Sequence, residues 1–244
     1  MKTVVVTGAS KGIGKSISNQ LDTDGFNVIL VARNTNQLNE LAEKLNNPAE
    51  VFTCDLSNTE SIQQILPTLE KHKNTLCGLI NNAGIFIKNS FETTSISDWE
   101  SQYKTNLLAP AILSKTIIPF LKNSPAKHKF IINISSTAAA RPVPDTSAYG
   151  SLKSALDHLT KVMALELAPH KICVNAISPG IVDTPIHSFE NLKLEDMDFV
   201  KSLHPLNEVG KPTDIASMAA FLAQDSNNWI TGSNFTIDGG LCLK

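Results

Sequence analysis

Tyr149 and Lys153, in the stretch TSAYGSLKSAL, stand four residues apart at what reads as the start of a helix. Positions i and i+4 share one helix face, so the phenol and the ammonium reach the same space. An isolated tyrosine titrates near pH 10 and is a poor acid–base group at neutral pH. A neighbouring ammonium favours the phenolate and lowers that value. A fall of about three units requires about 4 kcal/mol of differential stabilisation, a size that nearby positive charge in a desolvated site supplies. The pair is therefore suited to moving a proton to or from an oxygen atom. By itself it proves nothing, because two tyrosines among 21 lysines and arginines also meet at this spacing by chance.

A second stretch points to a phosphate-bearing ligand. TGASKGIGKS places Gly8, Gly12 and Gly14 between an N-terminal apolar run and a helical pattern. Glycines there permit a tight turn and close approach of backbone to a phosphate, whose charge the helix N-terminus favours. The spacing G-x-x-x-G-x-G differs by one residue from G-x-G-x-x-G, and an ordinary glycine-rich turn would look the same. The next strand, VILVARN, ends on Ala32 and Arg33, where gripping a free ribose 2′-hydroxyl requires an acid. A guanidinium in that place takes a 2′-phosphate through two parallel charge-assisted hydrogen bonds, and Lys11 in the turn adds a second positive charge. NADP(H) is thus expected in preference to NAD(H). Arg33 and Arg141 are the only arginines in the chain.

These residues need a scaffold that brings a turn near residue 10 beside a helix near residue 150. Short β-branched runs recur: TVVVTG, NVILVA, AEVFTCD, LCGLINNAG, KFIINISS and KICVNAISPG. Near-continuous apolar strands of this kind are buried on both faces. Helical patterns lie between them, including TNQLNELAEKLN (Leu38, Leu41, Leu45) and SIQQILPTLEKH (Ile62, Ile65, Leu66, Leu69), the second interrupted by Pro67. Strands alternating with helices imply βαβ units. The expected fold is α/β, a three-layer doubly wound parallel sheet of Rossmann type, in one domain over residues 1–244. TPIHSFENLKLEDMDFVKSLHP breaks the rhythm before a further helix near Asp214 to Ala223. A polar excursion beside the carboxyl end of a sheet suits a substrate lid, here about 184–210.

Composition narrows the partners. Of 244 residues, 42% are hydrophobic and the net charge is -2, which fits a globular chain and gives no electrostatic footprint for nucleic acid or a membrane surface. The first ten residues already read as a strand and its turn, so no signal peptide is expected. No apolar run reaches the length of a membrane span. Cys54, Cys77, Cys173 and Cys242 are scattered without C-x-x-C or histidine partners, and no H-E-x-x-H occurs. We expect reduced, mostly buried thiols, no metal, and a cytoplasmic location.

Taken in order, TGASKGIG (7–14), CDL (54–56), NNAG (81–84), Asn106 in YKTNLLA, INISS (132–136), the Tyr149/Lys153 pair, NAISPGIVDT (175–184) and WITGSNFTIDGG (229–240) span nearly the whole chain. In this order and spacing the sequence resembles the short-chain dehydrogenase/reductase family. The resemblance implies that Ser10, Lys11 and Ile13 join Gly8, Gly12 and Gly14 in holding the cofactor. Asp55 and Leu56 would flank its adenine, the carboxylate accepting from the amino group, although Asp55 also reads as a loop-capping acid. Asn82, Ala83 and Gly84 would run beside the adenosine ribose, while Asn81 reads equally well as a tie between strands. Pro179, Gly180, Val182 and Thr184 would border the nicotinamide.

Family spacing to the tyrosine selects Ser136 over Ser135 as the group polarising a substrate carbonyl. Tyr149 would then donate the proton, Lys153 would tune it and bind the nicotinamide ribose, and Asn106 would anchor a relay water. Within the family the chain looks most like 3-oxoacyl carrier-protein reductases, yet Lys127 and His170 stand where those enzymes dock the carrier through arginines. An acyl carrier protein is therefore a doubtful partner beside a small-molecule carbonyl substrate such as a ketone, sugar or steroid. Arg141 could meet an anionic substrate or cap its loop. Phe189, Leu192, Leu194, Met197 and Phe199 would line the lid. A catalytically idle NADPH-binding regulator is the alternative of another class. The long helices near Trp99 and Thr146 imply, through the same resemblance, a homotetramer or homodimer.

Overall fold

The computed structural model describes residues 2–186 and 194–244. Along the chain run β1 (Lys2–Thr7), α1 (Gly12–Thr23), β2 (Phe26–Ala32), α2 (Thr35–Ala42), β3 (Ala49–Thr53), α3 (Thr59–Gln63), α4 (Leu66–His72) and β4 (Leu76–Asn81). They are followed by α5 (Ile96–Tyr103), α6 (Ala109–Asn123), β5 (Lys129–Ile134), α7 (Ser147–Leu167), β6 (Ile172–Pro179), α8 (Leu194–Ser202), α9 (Pro212–Ala223) and β7 (Asn234–Ile237). The strands form one parallel sheet in the order β3-β2-β1-β4-β5-β6-β7. This is the expected three-layer Rossmann-type architecture in a single domain.

Strand burial explains the sheet. Every residue of β4 and β6 is buried, and in β1 only Lys2 is not. Alternate side chains serve opposite layers. Val4, Val6 and Leu30 pack with Ile17 and Leu21 of α1 and with Ile215 and Ala219 of α9. Val5, Ile29 and Val31 face Leu113 and Ile117 of α6 and Met163 of α7. The chain winds outward from β1 to β3, then returns to pair β4 on the other side of β1. That reversal opens a crevice beyond the carboxyl ends of β1 and β4, the place where open α/β sheets bind ligands.

Three features differ in detail from the sequence reading. Pro67 splits the pattern at 61–72 into two short helices and sits in the first turn of α4, where its missing N–H leaves no i−4 bond unmade. Ile62, Ile65 and Leu69 are buried, but Leu66 is 41% exposed. The polar segment after β6 contains α8, whose weakly amphipathic sequence gave no sign of a helix. Among the proposed lid residues, Met197 is half-buried and Phe199 is 65% exposed; Phe189, Leu192 and the Leu194 side chain lie outside the described residues. Cys54, Cys77 and Cys173 are buried and Cys242 is exposed, all with free thiols. Among the described residues no helix is long and apolar enough to cross a membrane, and no group of His, Cys, Asp and Glu is placed to hold a metal ion.

Candidate active site

The turn between β1 and α1 is shaped by its glycines. Gly8 and Gly12 have φ of +64° and +55°, in the left-handed region that favours glycine. A Cβ on Gly14 would lie 2.2 Å from the Gly8 carbonyl oxygen, so only glycine lets α1 start this close to the strand. The turn is braced from β4. Asn82 Nδ2 donates to the Thr7 carbonyl (2.9 Å), and the Asn82 and Ala83 amides donate to Thr7 Oγ1 (2.9 and 3.0 Å). Thr7, a buried hydroxyl ending β1, was missed in the sequence. Its signal was a polar residue closing an otherwise apolar strand. From the other side, the segment after β6 folds back over the turn, with Thr184 Cγ2 3.3 Å from where a Gly12 Cβ would sit. Val182 and Thr184 are both buried.

The outer end of the crevice is cationic. Arg33 and Lys11 are exposed, and neither side chain has an ion pair or hydrogen bond among the described residues. A depression of about 300 Å³ beside the turn is lined by Ser10, Lys11, Gly12 and Lys15 together with Gln37, Glu40 and Lys44. Asp55 is exposed, and its Oδ1 accepts from the Ser57 amide (3.0 Å) and hydroxyl (2.9 Å), so one carboxylate oxygen does cap its loop. Leu56 is buried beside it. Asn81 ties elements together, donating to Asn133 Oδ1 (2.9 Å) and Ser114 Oγ (3.1 Å).

At the carboxyl end of β5 the chemistry-bearing residues meet. The Ser136 hydroxyl is close enough to the Tyr149 phenol to favour its ionised form. Ser135 points the other way, its hydroxyl donating to the Lys153 carbonyl (3.4 Å), as strand alternation requires. Lys153 is 4% exposed; its Nζ donates to the Ile134 carbonyl (2.8 Å) and lies 5.7 Å from the centroid of the Tyr149 ring. The Phe86 ring meets the Tyr149 ring edge-on, centroids 4.8 Å apart at 68°.

Asn106 is fully buried in a π-helical turn, Lys104–Leu108, between α5 and α6. Its amide clasps the Ile85 backbone, Oδ1 accepting from N–H (2.9 Å) and Nδ2 donating to C=O (2.8 Å). Gly84 lies between this amide and the lysine: a Cβ there would be 3.2 Å from Asn106 Oδ1 and 3.9 Å from Lys153 Nζ. Gln102, also fully buried and not anticipated, accepts from the Ile87 amide (3.2 Å) and helps hold the same loop.

Burial pushes the Tyr149 phenol up from its ordinary value, with the Ser136 hydrogen bond opposing. Lys153 turns its ammonium to a backbone carbonyl, so desolvation is the larger influence on the phenol. Burial also drives Lys153 down to about 8, against the pull of the Asp157 carboxylate. Lys127 and His170 are not brought to this site: they precede β5 and β6, at the amino end of the sheet.

A doubly wound parallel sheet with a glycine turn at its point of reversal defines a Rossmann-type protein. The family model described as enoyl-(acyl carrier protein) reductase matches residues 8–242. The 3beta-hydroxysteroid dehydrogenase 1 of Eggerthella lenta is 32% identical over 247 residues, spanning 99% of this chain and 94% of that relative. The crystal structure of YwfH, an NADPH-dependent reductase involved in bacilysin biosynthesis, superposes with a TM-score of 0.92 at 27% identity, covering 98% of each chain. ElxO with NADP bound gives 0.91 at 29% identity, covering 100% of this chain and 99% of its own. The chain belongs to the short-chain dehydrogenase/reductase family of oxidoreductases.

Proposed function

We propose that the protein is an NADPH-dependent carbonyl reductase in which Tyr149 is the proton donor. The observation that carries this reading is the convergence of Ser136, Tyr149 and Lys153 at the end of β5 beside the glycine turn. The residues fit the cofactor. The absence of a Cβ at Gly14 lets the N-terminus of α1 sit close to the end of β1, where a pyrophosphate would meet it. Among the described residues Arg33 and Lys11 are unpaired cations, where a 2′-phosphate would sit. YwfH and ElxO, by their names, use NADPH and bind NADP.

Ser10, Gly12 and Ile13 would give backbone to the phosphates, Leu56 and the free oxygen of Asp55 would receive the adenine, and Ala83 and Gly84 the ribose. Pro179, Gly180, Val182 and Thr184 would border the nicotinamide. When bound, the reduced nicotinamide supplies hydride to the substrate carbon.

The chain's own part is the proton. Ser136 donates a hydrogen bond to the carbonyl oxygen, and Tyr149 Oη delivers its proton to that oxygen as negative charge develops. A phenol pushed up by burial stays protonated at neutral pH, which suits the reducing direction. The cation of Lys153 then stabilises the phenolate left behind, and Asn106 holds the Gly84–Ile85 backbone against the lysine. The segment 184–210 would close over the substrate.

The test is a carbonyl screen following NADPH absorbance, with generic ketones, 3-oxosteroids and acetoacetyl thioesters; the last arm also tests the carrier-protein variant of this reading. NADPH binding with no turnover of any carbonyl would instead support a binding protein. Arg33→Ala is expected to lower the NADPH-over-NADH preference in kcat/KM by about 10- to 100-fold, the size of a charge-assisted pair; an unchanged preference would sink that assignment. Ile96 and Leu165, on α5 and α7, are 78% and 79% exposed. Copies of this chain are the occupants the family resemblance implies, and a mass by light scattering equal to one protomer would refute a dimer or tetramer.

A further inference from the structure

The chain carries its positive charge almost entirely as lysine, and its two arginines are used differently from the rest. All ion pairs among the described residues are made by lysine or histidine. One arginine, Arg33, stands at the cofactor end of the crevice. The other, Arg141, ends the short turn that follows Ser136.

Arg141 is held there firmly. The Ser136 Oγ accepts from the Ala138 amide (3.1 Å), a short turn follows over Thr137–Ala139, and the Arg141 amide closes it on the Thr137 carbonyl (2.8 Å). The turn is locked onto α7 beside Tyr149. Ser154 Oγ donates to the Ala139 carbonyl, and a Cβ on Gly150 would lie 2.8 Å from the Ala138 carbonyl oxygen. On its far side the Asn89 amide donates to the Asp145 carbonyl (3.1 Å), tying the loop that carries Phe86 to the loop that carries Arg141.

The guanidinium, in contrast, has no hydrogen bond or ion pair among the described residues, so it does not cap its loop. Its residue is half-buried, and its charge acts on the Cys242 thiol of the C-terminal turn. The acid of that turn, Asp238, is already engaged: its Oδ1 and Oδ2 accept from the Gly240 and Cys242 amides (2.9 and 2.8 Å). A partly desolvated cation without a partner is costly, and such a group beside a reaction centre is explained by a ligand that completes it. The edge-on Phe86 ring lies against Tyr149 and adds an apolar surface to that site.

We propose that Arg141 binds a carboxylate of the substrate, so that the protein reduces an oxo acid held by its ketone at Ser136 and Tyr149 and by its acid group at Arg141. The planar guanidinium matches a carboxylate with two parallel hydrogen bonds, which a lysine cannot reproduce. The inference rests on the reductase reading above.

The experiment measures kcat/KM with NADPH for 2-, 3-, 4- and 5-oxo acids and for the methyl ester of each. In the wild type at least one acid is expected to exceed its ester by 10-fold or more. Arg141→Ala should lower that acid by about 10- to 100-fold and leave the ester within about twofold, and Arg141→Lys should recover only part of the loss. Because the guanidinium makes no hydrogen bond or ion pair among the described residues, both variants should melt within about 2 °C of the wild type; if Arg141→Ala does not fold, Arg141→Lys and Arg141→Gln carry the comparison. Esters reduced as well as their acids at every length, or equal losses on both, would overturn the inference and leave the reductase intact. No turnover of either class by protein that binds NADPH would overturn both.

Discussion

Tyr149→Phe lowers kcat for carbonyl reduction by about 10²- to 10⁴-fold and leaves the NADPH dissociation constant within about threefold, the range that a positioned acid contributes. The substitution removes one oxygen atom and keeps the ring, so the edge-on contact with Phe86 and the start of α7 survive. Ser136 remains able to hold the carbonyl but has no proton to spare at neutral pH. The pH dependence gives an independent check. Tyr149, pushed above its ordinary value by burial, is protonated across the neutral range. The cation beside it is lost first, since Lys153 titrates at about 8. Wild-type kcat/KM in the reducing direction is therefore expected to be level below that pH and to fall above it. Stopped-flow rates with the best ketone of the screen measure both effects. A phenylalanine variant that keeps more than a tenth of the rate would remove Tyr149 from the mechanism.

The second large effect is on stability as well as rate. Lys153→Met should abolish measurable turnover and yet make the unliganded protein more stable at pH 7. Burial holds the ammonium at about 8 against an ordinary value of 10.5. The folded pKa lies below the unfolded one, so the charged lysine works against folding. That cost is fully present below pH 8 and disappears as pH rises toward 10.5. The shift corresponds to about 3 kcal/mol, and loss of the hydrogen bond to the Ile134 carbonyl returns about 1 kcal/mol, leaving a net gain of about 2 kcal/mol. Denaturation in urea should thus favour the methionine variant at pH 7, with the two proteins converging near pH 10. A variant less stable by a constant amount at both pH values would show that the lysine is a structural support instead.

The parts of this fold legible in the sequence are those where one requirement acts on several adjacent residues. Burial on both faces writes an apolar run into VVVT and VILVA, and the runs found β1, β2, β4, β5 and β6 without tertiary information. The glycines of the first turn were equally plain, because a close carbonyl excludes every other side chain. What was obscure depends on contacts distant in sequence. Whether Asn82 faces a ligand or braces Thr7 is decided 75 residues away. The direction of the tyrosine's shift depended on where the Lys153 ammonium turns, and Ile134 is 19 residues upstream. Helix α8 escaped notice because its sequence, LEDMDFVKS, has little apolar periodicity. The choice between Ser135 and Ser136 fell between these cases: the family spacing selected one, and strand alternation accounts for the other pointing away.

The π-helical turn around Asn106 has a consequence of its own. Such turns amount to one residue more than a regular helix needs, and they sit at a local energetic disadvantage. The wide turn carries the chain from α5 to Pro110 in the first turn of α6, and deletion of Lys104 or Thr105, just before Asn106, would take out its extra residue. Asn106 would then be rotated by about 100° about the helix axis, away from the Ile85 backbone it now clasps. The easiest genetic route to a smoother helix is thus also a route to a disabled loop, so the length of this segment, and not only its residues, is under constraint.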